Sequence, residues 1–298
     1  MAYHIPALLD ESIEGLNIRP DGVYVDVTFG GGGHSREILK RLDKGMLIAF
    51  DQDEDARANL PDDSRLIFLD QNFRFLKNNL MFNGVTSISG LIADLGVSFH
   101  QFDEFHRGFT FRSDAPLDMR MNRKGTTTAA TLLNSLDETA LADVFYNYGE
   151  LTNSRRLAAE IMAARKEKPL ESANDLVSAI KKLYPPHQEN KFLAKVFQAL
   201  RIAVNNEMIS LREMLSQALE ILSPGGRLVV ITYHSLEDRM VKNFMRAGNF
   251  EGIAGKDFYG RSETPFRMIT KRVVTPSQEE ITRNNRARSA KLRIAEKI

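Results

Sequence analysis

Four consecutive glycines, Gly30-Gly31-Gly32-Gly33, join a strand pattern to a helix pattern, and this junction constrains the fold more than any other stretch. Before them Val23, Val25 and Val27 alternate with other residues, and β-branched side chains at period two read as a strand. After them Ser35-Arg36-Glu37-Ile38-Leu39 opens a helical pattern. Strand, glycine turn and helix form the first unit of a nucleotide-binding α/β sheet. Gly30 and Gly32 let the backbone turn tightly and let a ligand approach without a Cβ in the way. Amides at the start of the next helix then face an anion or a polar ligand head. Glycine runs also occur in plain surface turns, so a nucleotide site needs support from the neighbouring strands.

A second apolar run, Met46-Leu47-Ile48-Ala49-Phe50, ends at Asp51, 19 residues beyond Gly32. That spacing is close to the roughly 20 residues at which an acid meets ribose hydroxyls. Leu66-Ile67-Phe68-Leu69 ends at Asp70, and Gly90-Leu91-Ile92-Ala93 ends at Asp94. Four successive strand candidates therefore carry Asp26, Asp51, Asp70 and Asp94 at or near their carboxyl ends. In a parallel sheet these ends share the edge where ligands bind. A single Asp there is explained by turn and cap chemistry, but four behind a glycine loop are not.

A helix is expected before the first strand, with Leu8, Leu9, Ile13 and Leu16 on one face. Another should start at Glu54, and a third should run from Asn72 to Leu80 with Phe73, Leu76 and Leu80 facing the core. After Asp94 the sheet pauses. The next central strand is Arg227–Thr232, introduced by Ser223-Pro224-Gly225-Gly226. The stretch between is too long for one loop and reads as helical: Ser135-x-x-Glu138 fits a capping box and Gly149 a helix end. Residues 153–165, 172–184 and 191–222 continue with helical spacing, the last broken near Asn205-Asn206. We expect residues 1–105 and 206–298 to form one discontinuous sheet domain, and residues 106–205 an inserted all-helical domain. Arg267–Val274 and Lys291–Ala295 supply two more strands, which would complete a seven-stranded sheet.

Charge is uneven. The formal net charge is +1, yet residues 1–105 hold 9 Lys/Arg against 17 Asp/Glu. Residues 151–205 hold 10 against 5, and residues 256–298 hold 11 against 5. A basic middle and tail suit a polyanionic partner, although solvated helices also carry such residues. The loop Arg107-Gly108-Phe109-Thr110-Phe111-Arg112 interleaves rings with guanidinium groups, either to meet RNA or to pin the insert to the sheet. Tyr233-His234-Ser235 puts an aromatic, an imidazole and a hydroxyl at the fifth strand tip, on the ligand edge. There is no cysteine, which rules out disulfides and thiolate metal sites, and no run long enough to span a bilayer. With no signal-peptide pattern, a cytoplasmic protein is expected.

Several strings then resemble one family, the bacterial 16S rRNA (cytosine-N4)-methyltransferases of the MraW/RsmH type. They are Thr28-Phe29-Gly30-Gly31-Gly32-Gly33-His34-Ser35, Asp51-Gln52-Asp53, Asp94-Leu95-Gly96-Val97-Ser98 and Arg107-Gly108-Phe109. They continue with Pro116-Leu117-Asp118-Met119-Arg120-Met121, Phe197-Gln198-Ala199-Leu200-Arg201-Ile202, His234-Ser235-Leu236-Glu237-Asp238-Arg239 and Arg286-Ala287-Arg288-Ser289. The resemblance covers nearly the whole chain in order. It departs at Phe99-His100, where the family more often has Ser followed by Pro or His.

The resemblance implies a Rossmann-like class I methyltransferase sheet, S-adenosyl-L-methionine as donor and a cytidine of 16S rRNA in the small ribosomal subunit as acceptor. Carried onto matching positions, Gly32, Gly33 and His34 would contact the methionine part, and Asp51 the ribose. Phe73 would lie beside the adenine, although by pattern alone it is a core residue. Asp94 and Gln101 would complete the pocket. Transfer from a sulfonium needs positioning and electrostatics rather than a metal, so no metal is expected. Cytosine N4 shares its lone pair with the ring, so a group must accept its N–H bonds. The Asn/Asp-Pro-Pro-aromatic device of many amino-methyltransferases is missing from Asp94-Leu95-Gly96-Val97. Asp94 and His234 are the candidates instead. Rival readings are a nicotinamide oxidoreductase, which needs no basic insert, a non-catalytic assembly factor and a small-molecule methyltransferase. Monomer and homodimer both stay open.

Overall fold

The computed structural model describes residues 6–98, 101–102, 104–256 and 262–298, so the departure at Phe99-His100 lies outside the described residues. The chain gathers into two compact units, residues 1–96 with 208–298 and residues 97–207.

In the first unit the strands are β1 (Val23–Asp26), β2 (Met46–Asp51), β3 (Leu66–Asp70), β4 (Ile88–Asp94) and β5 (Leu222–Thr232). A short pair, β6 (Gly255–Lys256) and β7 (Ser262–Glu263), precedes β8 (Phe266–Met268) and β9 (Lys291–Lys297). The main sheet has seven strands in the order β3-β2-β1-β4-β5-β9-β8. The first five run parallel, while β9 pairs antiparallel with both β5 and β8. This is the seven-stranded class I methyltransferase sheet that the sequence led us to expect. The first of the two tail strands is shorter than expected: after Met268, Ile269 and Thr270 still donate to the Ile294 carbonyl, and the ladder with β9 then resumes as an isolated bridge from Val274 to Leu292.

Strict alternation explains why helices cover both faces. Val25, Ile48, Phe50, Leu91, Ala93, Leu228 and Val230 feed one core, while Tyr24, Leu47, Ile92, Val229 and Ile231 feed the other. Parallel strands buried on both faces read as continuous apolar runs for this reason. The first face is covered by α3 (Leu76–Phe82), α9 (Glu207–Ile221) and α10 (Ser235–Ala247), the second by α1 (Leu9–Leu16) and α2 (Gly33–Arg41). Each fully buried Leu, Ile or Phe contributes about 1.5–3 kcal/mol. The expected Pro-Gly-Gly turn is a bulge within β5: its register against β4 skips from Leu222 to Arg227, and Gly225 has φ 79°.

The second unit holds α4 (Ala129–Ser135), α5 (Glu138–Gly149), α6 (Ser154–Glu167), α7 (Ala173–Ile180) and α8 (Glu189–Asn205). Pairs at i,i+4, namely Leu141 with Phe145, Leu157 with Ile161, and Val196 with Leu200, build its core. Helix α8 stops where Asn206 turns left-handed at φ 51°, the break expected there. The expected capping box at Ser135 does not form. Ser135 ends α4, its hydroxyl donating to the Thr131 carbonyl, and Asp137 caps α5 by accepting from the Ala140 amide.

The Arg-Phe loop turns inward. Arg107 is buried and donates to the carbonyls of Arg120 and Met121, and Phe109 joins the helical core. Phe111 packs edge-on against Phe197, with centroids 5.5 Å apart. The loop is thus anchored in the core of the second unit itself.

Candidate functional site

The glycine loop is built by the acids around it. Asp26 is 1% exposed. Its Oδ2 accepts from the Ser35 hydroxyl at 2.7 Å, and Oδ1 from the Thr28 amide at 3.0 Å. The carboxylate thereby fastens the end of β1 to the first turn of α2. Burial, opposed by these bonds, pushes it up to about 6. Asp51 holds the other side: its Oδ2 accepts from the Gly30 amide at 2.7 Å and its Oδ1 from the Asp53 amide at 2.8 Å. It too is pushed up to about 6 by burial, with smaller contributions from the charges of Asp53 and Asp26. Each oxygen keeps a second lone pair for a ligand hydroxyl.

Between these clamps Gly32 adopts φ 73° at the N-cap of α2, and no side chain caps the helix. The first-turn amides are thus left for a ligand. Gly33 has no room for a side chain, since a Cβ there would sit 2.2 Å from Pro6 Cγ. The chain before α1 therefore lies against the helix start. His34 is buried, which pushes its imidazole down to about 4 against an opposing hydrogen bond with the Ala7 backbone. It is neutral at neutral pH. Among the described residues its buried Nε2 has no hydrogen-bond partner, so it is an orphan polar atom beside an uncapped helix. These features fit the polar head of an S-adenosylmethionine-like ligand.

Asp94 ends β4, and its register partner on β5 is Ile231. Its side chain is 22% exposed. The Tyr233 hydroxyl donates to Oδ1 at 2.8 Å, and His34 Nδ1 stands 3.9 Å from Oδ2. The Asp94 amide donates to Thr28 Oγ1 at 2.7 Å. Burial pushes Asp94 up to about 7, aided by the charges of Asp26 and Glu237 and opposed by the Tyr233 hydroxyl. His234 is the N-cap of α10: its Nδ1 accepts from the Glu237 amide at 3.4 Å, and Nε2 lies 3.1 Å from Glu237 Oε1. Glu237 Oε2 in turn accepts from the Tyr233 amide at 2.9 Å.

The sequence-selected residues therefore divide. Gly32, Gly33, His34 and Asp94 come together around the start of α2, and Asp51 grips the same loop through Gly30. Phe73 comes after β3, half-buried against the core with Leu76 and Leu80. Gln101 belongs to the second unit, where its Oε1 accepts from the Ser98 amide at 3.0 Å. The sequence places Tyr233 on the ligand edge but gives it no role, and Thr28 enters only as part of the glycine-loop string. Its place at the tip of β1 is the signal for Thr28.

A family model described as the MraW methylase family matches residues 1–298. A protein of Bacteroides fragilis called ribosomal RNA small subunit methyltransferase H is 57% identical over 99% of this chain and 97% of the relative. Proteins of the same name from Parabacteroides distasonis and Flavobacterium johnsoniae are 57% and 54% identical, over 99% and 100% of this chain and 98% and 99% of the relatives.

Proposed function

Because the chain belongs to the MraW methylase family, we propose that it methylates N4 of a cytidine in the 16S rRNA of the small ribosomal subunit, with S-adenosyl-L-methionine as donor. The observation that carries the reading is the uncapped start of α2, flanked by the orphan His34 Nε2 and the half-buried carboxyl of Asp94. The relatives' name supplies the class of acceptor. When bound, the donor supplies a methyl group activated by a sulfonium leaving group.

The protein's part is to bind and orient. Amides at Gly33 and His34, with the neutral imidazole, hold the methionine end. Asp51 accepts from the ribose hydroxyls while its two amide bonds fix its direction, and Phe73 lies beside the adenine. Asp94 accepts from the N4 amine and draws the nitrogen lone pair out of ring conjugation. His234 acts one step away, because its imidazole is engaged with Glu237. A target base inside a helix must be unpaired or flipped to reach such a group.

Recognition of RNA falls to the insert. Among the described residues, Arg155, Arg156, Lys166 and Lys181 are exposed and form no ion pair, whereas Lys182 pairs with Glu160 at 2.6 Å.

The chemistry favours an exocyclic amine. Methylation at cytosine C5 generally uses a cysteine, and this chain has none. An amine loses its proton after the methyl arrives and needs neither a covalent adduct nor a strong base. The test is tritiated methyl transfer to small subunits from cells lacking the protein, with nucleoside mass spectrometry of the product. N4-methylcytidine is the expected product. A missing 5-methylcytidine or N6-methyladenosine, with N4-methylated cytidine unaffected, refutes the proposal.

A further inference from the structure

We infer that Tyr233 is the positioning residue for this reaction, locking one oxygen of Asp94 so that the other is presented to the acceptor amine. The inference rests on the N4 reading above and adds a residue that no sequence motif at the β4 tip supplies. The observation is the bond itself: Tyr233 Oη donates to Asp94 Oδ1 at 2.8 Å.

The lock is built from both sides. Gly96, at φ 101°, carries the chain past the Tyr233 ring, and a Cβ there would lie 3.4 Å from Tyr233 Cδ2. The Tyr233 amide is fixed by Glu237 Oε2 at 2.9 Å, within the capping box that begins α10. Asp94's own amide is fixed by Thr28, whose neighbour Asp26 is bound to Ser35. Backbone and ring are thus held independently, and among the described residues Asp94 Oδ2 is the oxygen without a hydrogen-bond partner. His34 Nδ1 stands 3.9 Å from it, too long for a hydrogen bond.

In the transfer, the N4 lone pair forms the N–C bond while the C–S electron pair returns to sulfur. The proton then leaves N4 for Asp94 Oδ2 and passes to water, which restores the carboxylate. The acceptor form of Asp94 is therefore the ionised one. The charged and titratable groups that face it are His34 from α2, Asp26 from β1, and Tyr233 and Glu237 around α10. Glu280 of α11 (Gln278–Arg283) acts on Tyr233. His34 is neutral, and Asp26 and Glu237 both raise Asp94. The Tyr233 hydroxyl is the group that lowers it. Tyr233 itself, pushed well above 10 by burial and by Asp94, stays protonated as donor across the working range.

The experiment is the pH dependence of single-turnover methyl transfer for the wild type, for Tyr233→Phe and for 3-fluorotyrosine placed at position 233. Donor affinity is measured alongside by calorimetry, and Asp94 is titrated by carboxyl carbon-13 NMR. Tyr233→Phe keeps the ring and loses the donor. The acid limb and the Asp94 titration should both move up by about one pH unit, with at least tenfold loss of rate at neutral pH and donor affinity within twofold. Fluorotyrosine is nearly isosteric and a stronger donor, so it should move both downward, which also covers the case in which the Phe variant does not fold. Unmoved limbs and an unmoved titration overturn the inference, and so does a loss confined to donor affinity. If the wild type makes no N4-methylcytidine, the functional reading falls instead. A normal product with unmoved pH profiles removes only the role of Tyr233.

Discussion

Asp51 clamps the glycine loop in this structure, and the ribose role proposed for it can be separated from that clamp by a thermodynamic cycle. As a ribose acceptor it should contribute about 1.5–3 kcal/mol through a charge-assisted bond, or roughly ten- to hundredfold in donor affinity. As a clamp it accepts from Gly30 at 2.7 Å and Asp53 at 2.8 Å. Asp51→Ala leaves both amides without that acceptor, at about 1–3 kcal/mol for each that is kept from water. The clamp loss acts on any ligand that needs the loop, and the ribose loss only on a ligand with hydroxyls. Calorimetry with S-adenosylhomocysteine and with its 2′,3′-dideoxy analogue, on wild type and Asp51→Ala, therefore yields the coupling directly. The expected result is a coupling of about 2 kcal/mol on top of a weaker, ligand-independent loss. If the mutation costs the dideoxy analogue as much as the natural ligand, Asp51 serves the loop alone and its placement on the ribose is wrong.

Three further outcomes are expected. Gly33→Ala should lower the melting temperature by several degrees, since its Cβ would meet Pro6 Cγ at 2.2 Å, and Pro6→Gly should restore most of the loss. Asp26 binds a proton more tightly when folded, at about 6 against the ordinary 3.8, so its contribution to stability falls as pH rises through that window. The difference in unfolding free energy between wild type and Asp26→Asn, measured by urea melts, should change by about 2 kcal/mol between pH 3.8 and 6, and a flat difference would contradict the burial argument. Replacing Arg155, Arg156 and Lys181 by Ala should weaken binding to small subunits and lower the salt slope by up to about 2, leaving donor affinity unchanged. An unchanged slope would make these residues mere solvated side chains.

The sheet was legible because its physics is local. Val23 to Val27, Met46 to Phe50 and Gly90 to Ala93 are apolar on both faces, and only a covered parallel sheet buries both. The insert was legible for the same reason, from i,i+4 pairs such as Leu157 and Ile161. What failed was the choice among neighbours competing for one role. Ser135 and Asp137 both offer an oxygen near the start of α5, and Asp137 stands at the position from which the Ala140 amide is reached. Composition likewise does not say where Arg107 points, and here it serves two carbonyls inside the core.

The site was half legible, and the missing half is the part that depends on strand order. The glycines and the four acids announce an edge, because each sits at the end of its own strand. The bond from Tyr233 to Asp94 joins residues 139 positions apart, and nothing local in either segment implies the other. It exists because β4 and β5 are neighbours, with Asp94 opposite Ile231 two residues before Tyr233. That adjacency in turn requires the chain to leave the sheet after β4 and return in register, with the whole helical insert between. A long insertion costs little in closure entropy, so its length leaves the contact intact. The same adjacency explains why Asp94 needs no aromatic at the next positions of its own strand. The neighbouring strand delivers one from the far side of the insert, and a search for contiguous acid–aromatic strings passes over it.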